Sequence, residues 1–176
     1  FAKRIPWLML LMISATFTGI IISHFESSLG ALPILTAFIP MLMDTGGNSG
    51  SQASVTVIRG ISLGDIRFRD ILRVISKELR VALMCGAVLA VTAFAKVYLI
   101  DKFIMGKEIT LLIACVISAT LLVTVVIAKI VGCSLPLLAK KIGFDPAVMA
   151  SPFITTIVDA FSLLIYFWFA NMILKL

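Results

Sequence analysis

The chain has 176 residues, 61% of them hydrophobic and 14% charged, with a mean hydropathy of +1.15. A water-soluble domain is about half apolar and a quarter charged, so that class is excluded; spans of ~20 residues across ~30 Å of hydrocarbon absorb the apolar stretches as five helices. The net charge of +6 does not point to nucleic acid, because most Lys and Arg fall in short connecting segments, as in loops retained on the cytoplasmic side.

Residues 6–25 form the first predicted span, entered through Lys3, Arg4 and an interfacial Trp7 and left through His24, Glu26, Ser27 and Ser28. No small-residue cleavage pattern follows it, so it is expected to stay in the protein. The chain opens at Phe1, which suggests a membrane domain of something longer. The second span, 29–58, is predicted to be interrupted at 44–52 by Asp44-Thr45-Gly46-Gly47-Asn48-Ser49-Gly50-Ser51-Gln52. Over 65–80, Phe68, Ile71, Leu72, Ile75 and Leu79 fall at helical spacing while Arg67, Arg69, Arg73 and Lys77 take the other positions, the pattern of an amphipathic interfacial helix. Spans at 81–100 and 109–138 follow, joined by a polar turn containing Asp101, Lys102, Gly106 and Lys107. The fifth, 146–174, opens on Asp145-Pro146, an N-cap followed by proline at the first helical position. Cys85, Cys115 and Cys133 lie in apolar runs without metal-ligand spacing and are read as small hydrophobes.

Five spans set Lys3, Arg4, Arg59, Arg67, Arg69, Arg73, Lys77, Arg80, Lys140 and Lys141 on one side and Lys102, Lys107 and Lys175 on the other. The positive-inside rule then puts the N-terminus in the cytoplasm and the C-terminus outside. Lys96 and Lys129 remain inside or near the ends of spans.

Two places break the rules for a helix facing lipid. An unpaired backbone amide in hydrocarbon costs several kcal/mol, so a broken second helix must line a cavity, and Pro33 and Pro40 would free further carbonyls. The competing reading is that Gly46, Gly47 and Gly50 only permit close helix packing. In the fifth span Asp159 stands near mid-membrane, where a carboxylate marks an ion path or a specific ion pair; Lys129 and Lys96 are its candidate partners. Ser151 and Thr155 precede it by eight and four residues and share its face, while Pro152 leaves the carbonyl of Val148 without a helical donor. Asp44 joins the same set, or alternatively caps the helix that resumes after the break. All these ligands are hard oxygens, which favours Mg²⁺, Ca²⁺ or Mn²⁺, and two copies of Asp159 at a dimer axis would face one divalent ion. Asp44-Thr45-Gly46 also spells the aspartic-protease string, which would need two carboxylates about 3 Å apart. No enzymatic activity is expected.

Pro40, Gly46-Gly47-Asn48-x-Gly50-x-Gln52 and Arg59-Gly60, followed by Asp145-Pro146-Ala147, Ser151-Pro152, Thr155-Thr156 and Asp159, resemble the membrane domain of the MgtE family of magnesium channels over essentially the whole chain. The resemblance implies a homodimer of five-helix subunits in the plasma membrane, its second and fifth helices lining a central pore that passes Mg²⁺ inward. It further implies that Asp159 binds hydrated Mg²⁺ beside the Thr155 carbonyl. Asp44, Gly46, Gly47, Asn48, Gln52, Ser151 and Pro152 would line or gate the pore. Ser151 stands where relatives carry Asn, and Asp44 where many carry a small residue. The family's cytoplasmic acidic and CBS domains are missing, so the chain is either a pore domain or a short relative. A proton- or sodium-coupled divalent-cation carrier and a non-transporting assembly subunit are the alternatives.

Overall fold

The computed structural model describes residues 5–146 and 151–175, and every described element is helical. Helix α1 spans Ile5–His24 and α2 Glu26–Ala31. Leu32 then leaves helical geometry (φ −135°, ψ 79°), and Pro33–Phe38 forms a 3₁₀ segment. Helix α3 covers Ile39–Ser62, α4 Ile71–Ala95, α5 Leu111–Lys141 and α6 Ser151–Leu174. By length and composition, Phe68–Ile104, Leu111–Lys141 and Pro152–Leu174 can each cross a membrane, and Leu8–His24 is a shorter apolar helix.

The predicted interruption at 44–52 is not there: α3 runs unbroken through all nine residues, and the chain departs from α-helix earlier, at 32–38. Pro33 and Pro40 each sit in the first turn of their helix, where the missing N–H has no intrahelical partner to lose. The glycines, each costing about 1 kcal/mol against alanine in a helix, are retained for contact. A methyl group at Gly46 would lie 2.6 Å from Thr124 Cγ2 and 2.9 Å from Val158 Cγ1; one at Gly132 would run into the Gly50 carbonyl. The close-packing alternative therefore holds for Gly46 and Gly50. Asp44, in mid-helix, caps nothing.

These contacts also set direction. Gly46 meets Thr124 and Gly50 meets Ala128, so α3 and α5 run parallel; Gly46 meets Ser162 while Gly50 meets Ile154, so α6 runs antiparallel to α3. The main core gathers Leu35, Phe38, Leu42, Ile117, Tyr166 and Phe167. There the buried Tyr166 hydroxyl donates to the Leu35 carbonyl at 3.0 Å, satisfying both a phenol and a carbonyl of the 3₁₀ segment.

The interfacial helix and the third span are one helix. Nothing breaks the chain between Ile71 and Ala95, and the run Phe68–Ile104 covers 37 residues, or ~55 Å, well beyond a ~30 Å core. Arg67, Arg69, Arg73 and Lys77 are exposed, while Phe68, Ile71 and Ile75 pack on Val57, Ile61 and Leu137 instead of facing lipid. Leu72 and Leu79 stay exposed.

The turn expected near Asp101 is also corrected. From Lys96 to Ile104 the helix widens to π geometry, and Asp101 is 1% exposed. Its carboxylate pairs with Lys96 at 2.7 Å and Lys107 at 2.9 Å, and both ammonium groups lie 5.5 Å from the Phe38 ring. Lys96 is thus committed to Asp101. The helical start expected at Asp145-Pro146 cannot be followed: neither residue is helical, and 147–150, with Val148, lie outside the described residues, as do Lys3 and Arg4.

Candidate functional site

Helices α3 and α6 meet around Gly47, where a methyl group would lie 3.0 Å from Thr155 Cγ2 and 3.8 Å from Asp159 Oδ1. The missing side chain lets α6 bring its carboxylate against α3. On α3, Asp44, Asn48 and Gln52 recur every four residues and are all exposed, so they form one polar stripe along the helix. Thr155 and Asp159, also four apart, form the facing stripe on α6 and are partly buried.

Between the stripes is a cavity of about 440 Å³ lined by Ile39, Pro40, Met43, Asp44, Gly47, Asn48, Thr155 and Asp159. Asp44 lies within electrostatic range of Asp159. No hydrogen bond or ion pair joins either carboxylate to another described residue, so both are available to a cation, and Lys129 and Lys96 are not partners of Asp159. At ~30 Å³ per water the cavity has room for about fifteen, enough for a hydrated divalent ion. Among the described residues no three His, Cys, Asp or Glu side chains cluster as a metal site. One or two carboxylates with retained waters is the mode that suits Mg²⁺, which sheds water reluctantly. The donor set fits that ion.

The other sequence-derived candidates fall in three places. Gln52 lines a second cavity, of about 530 Å³, with Asp44, Asn48, Ser49, Cys85 and Lys129. Gly46 is buried against α5 and α6 and does not line either cavity. The Pro152 carbonyl accepts hydrogen bonds from the hydroxyls of Thr155 (2.9 Å) and Thr156 (3.0 Å), and the Ser151 side chain lies outside the described residues. Missed from the sequence were Ile39 and Met43, as lining residues, and Ser49 and Cys85 beside Lys129. The sequence signal for Lys129 is an ionisable residue in an apolar run, which by itself points only to a partner for Asp159.

The family model described as a divalent cation transporter, MgtE, matches residues 39–169, from the first residue of α3 to five residues before the end of α6. The chain belongs to the MgtE family. It is 35% identical over 172 residues to the magnesium transporter MgtE of Thermus thermophilus, covering 98% of this chain and 36% of that protein. It is 35% identical to the magnesium transporter MgtE of Bacillus subtilis over 169 residues, 96% of this chain and 36% of that protein. The magnesium transporter MgtE of Enterococcus faecalis is 34% identical over 175 residues, 99% of this chain and 37% of that protein. The chain thus spans about a third of the length of these curated relatives. MgtE members are transporters and not enzymes, and the aspartic-protease reading of Asp44-Thr45-Gly46 falls with that membership.

Proposed function

We propose that this chain is the conducting part of a magnesium channel, passing Mg²⁺ into the cytoplasm down its electrochemical gradient through a pore on the axis of a homodimer. The observation that carries this reading is the cavity uniting Asp44 of α3 with Asp159 of α6, both unpaired. Lipid cannot cover the exposed stripe of Asp44, Asn48 and Gln52, whose polar groups would lose water without gaining partners. A second copy, related by a two-fold axis, would cover it and double the carboxylates facing one ion. Asp159 then addresses hydrated Mg²⁺, with Thr155 beside it; Asp44, Gly47, Asn48 and Gln52 line the path, and Ser151 and Pro152 flank its end on α6.

In this reading five spans cross the plasma membrane with the N-terminus in the cytoplasm, so that the cations of 59–80 and 140–141 lie inside. An inside-negative potential supplies about 2.3 kcal/mol per charge per 100 mV, and roughly twice that for a divalent ion, so no coupling ion is required. Cytoplasmic domains in the remaining length of the transporter would supply gating.

The test is Mg²⁺ entry into liposomes containing this chain under an imposed potential with no pH or sodium gradient, alongside cysteine crosslinking at Gln52 on α3. Potential-driven entry with crosslinked dimers supports the channel. Entry that requires a proton or sodium gradient would make it a coupled carrier, and flux from monomers would remove the shared axis.

A further inference from the structure

The second cavity, between α3, α4 and α5, holds a group that the proposed Mg²⁺ path does not use. Lys129 of α5 is 6% exposed and forms no ion pair or hydrogen bond with any described residue, yet it lines this cavity together with Asp44, Asn48 and Gln52. Its stem is buried and its ammonium opens into the cavity, and an ionisable residue in a membrane helix is retained for a pathway or a counter-charge. Two carboxylates are candidate counter-charges. Asp44 lies in the same cavity, and Glu78 on α4, 9% exposed, shares with Lys129 the electrostatic neighbourhood of Cys133 without forming an ion pair.

The cavity favours Asp44: the contact of Gly86 with Leu122 sets Glu78 near the level of Lys129, but Glu78 does not line the cavity and Asp44 does. Lys129 follows Ala128, whose carbonyl oxygen would lie 3.0 Å from a methyl group at Gly50, so its Cα stands about two turns beyond the level of Asp44. Helical side chains lean toward their own N-terminus, and because α5 runs parallel to α3 this lean carries the ammonium back toward Asp44 along the Gln52–Asn48 stripe. Asp44 borders both cavities, with Asp159 on one side and Lys129 on the other.

We propose that Lys129 is a resident counter-charge of the cation path, one that an entering divalent ion must displace electrostatically from Asp44. The proposal rests on the channel reading above. Conduction needs a site strong enough to admit an ion and weak enough to release it. With two unpaired carboxylates per chain around the path, a fixed positive charge holds the affinity down. An ion that reaches Asp44 must first offset the attraction of the ammonium for that carboxylate, which weakens its affinity by about tenfold.

The experiment measures KM and maximal rate of Mg²⁺ uptake into liposomes for wild type, Lys129→Met, Lys129→Gln and Lys129→Arg, at equal amounts of incorporated protein. Both neutral variants are expected to lower KM about tenfold without raising the maximal rate, and Lys129→Arg to keep the wild-type KM. The shift should vanish in an Asp44→Asn background and survive in Glu78→Gln. An unchanged KM in the neutral variants overturns the proposal. So does a shift that survives Asp44→Asn but vanishes in Glu78→Gln, since Lys129 would then only neutralise Glu78. Failure of both neutral variants to fold while Lys129→Arg folds would assign the charge to stability and also overturn it. Absence of flux from wild type would strike the channel reading itself, whereas a conducting wild type with a KM insensitive to Lys129 strikes only this proposal.

Discussion

Gly132 of α5 faces Gly50 of α3 so closely that a methyl group added at Gly132 would collide with the Gly50 carbonyl. The obstacle is backbone, which cannot rotate away as a side chain would. Gly132→Ala is therefore expected to push α3 and α5 apart and cost about 2–3 kcal/mol, the upper part of the range for overpacked cores. Gly19→Ala, with nothing within 4 Å of the added methyl, should be neutral or slightly stabilising. Thermal unfolding of the two variants in the same detergent checks the contrast.

Gly47 carries a different consequence, because its neighbours belong to the cavity. Gly47→Ala meets Thr155 Cγ2 at 3.0 Å, and relief of that contact shifts α6 together with Asp159. Mg²⁺ flux is expected to fall several-fold while the unfolding temperature drops by less than in Gly132→Ala. Equal losses of stability in the two variants, with flux retained in Gly47→Ala, would contradict this.

The buried Asp101 carboxylate ties Lys96 and Lys107 together over Phe38, next to Ile39 and Pro40 at the cavity wall. Both lysines are partly exposed, 41% and 28%, so solvent weakens each pair, and Asp101→Asn should cost about 1–2 kcal/mol and not the 3–5 of a fully buried pair. Calorimetry of Asp101→Asn beside Lys96→Met measures it, with the aspartate variant the more destabilised because it releases two lysines at once.

Tyr166→Phe removes the only hydrogen bond described for the Leu35 carbonyl outside its own segment. Loss of one buried hydrogen bond costs about 0.5–1.5 kcal/mol, so a loss of that size in chemical unfolding is expected with little change in flux.

Span composition was readable from the sequence because hydrocarbon imposes a length and an apolar content that show in any window. Asp44 and Asp159 were equally visible as charges in apolar runs, although only the fold shows that Gly47 brings them to one cavity. The run Gly46 to Gly50 admits two readings in sequence because glycines look the same whether they break a helix or admit a neighbour. What distinguishes the two is Thr124, Ala128 and Gly132, about 80 residues away, and local periodicity carries no trace of them. Asp101 reads as a turn residue for the same reason: its burial depends on two lysines and on the Phe38 ring from another helix. Pro33 and Pro40 look alike in sequence, yet a non-helical Leu32 stands before one and a nearly continuous helical path before the other.

The central claim is that Asp159 faces the permeating ion. Its most direct test is potential-driven Mg²⁺ entry into liposomes for wild type and Asp159→Asn, with equal protein incorporation and no pH gradient. The asparagine keeps the size and the helix but removes the charge, so flux is expected to fall by at least tenfold with an unchanged unfolding temperature. Flux equal to wild type in Asp159→Asn would contradict the account.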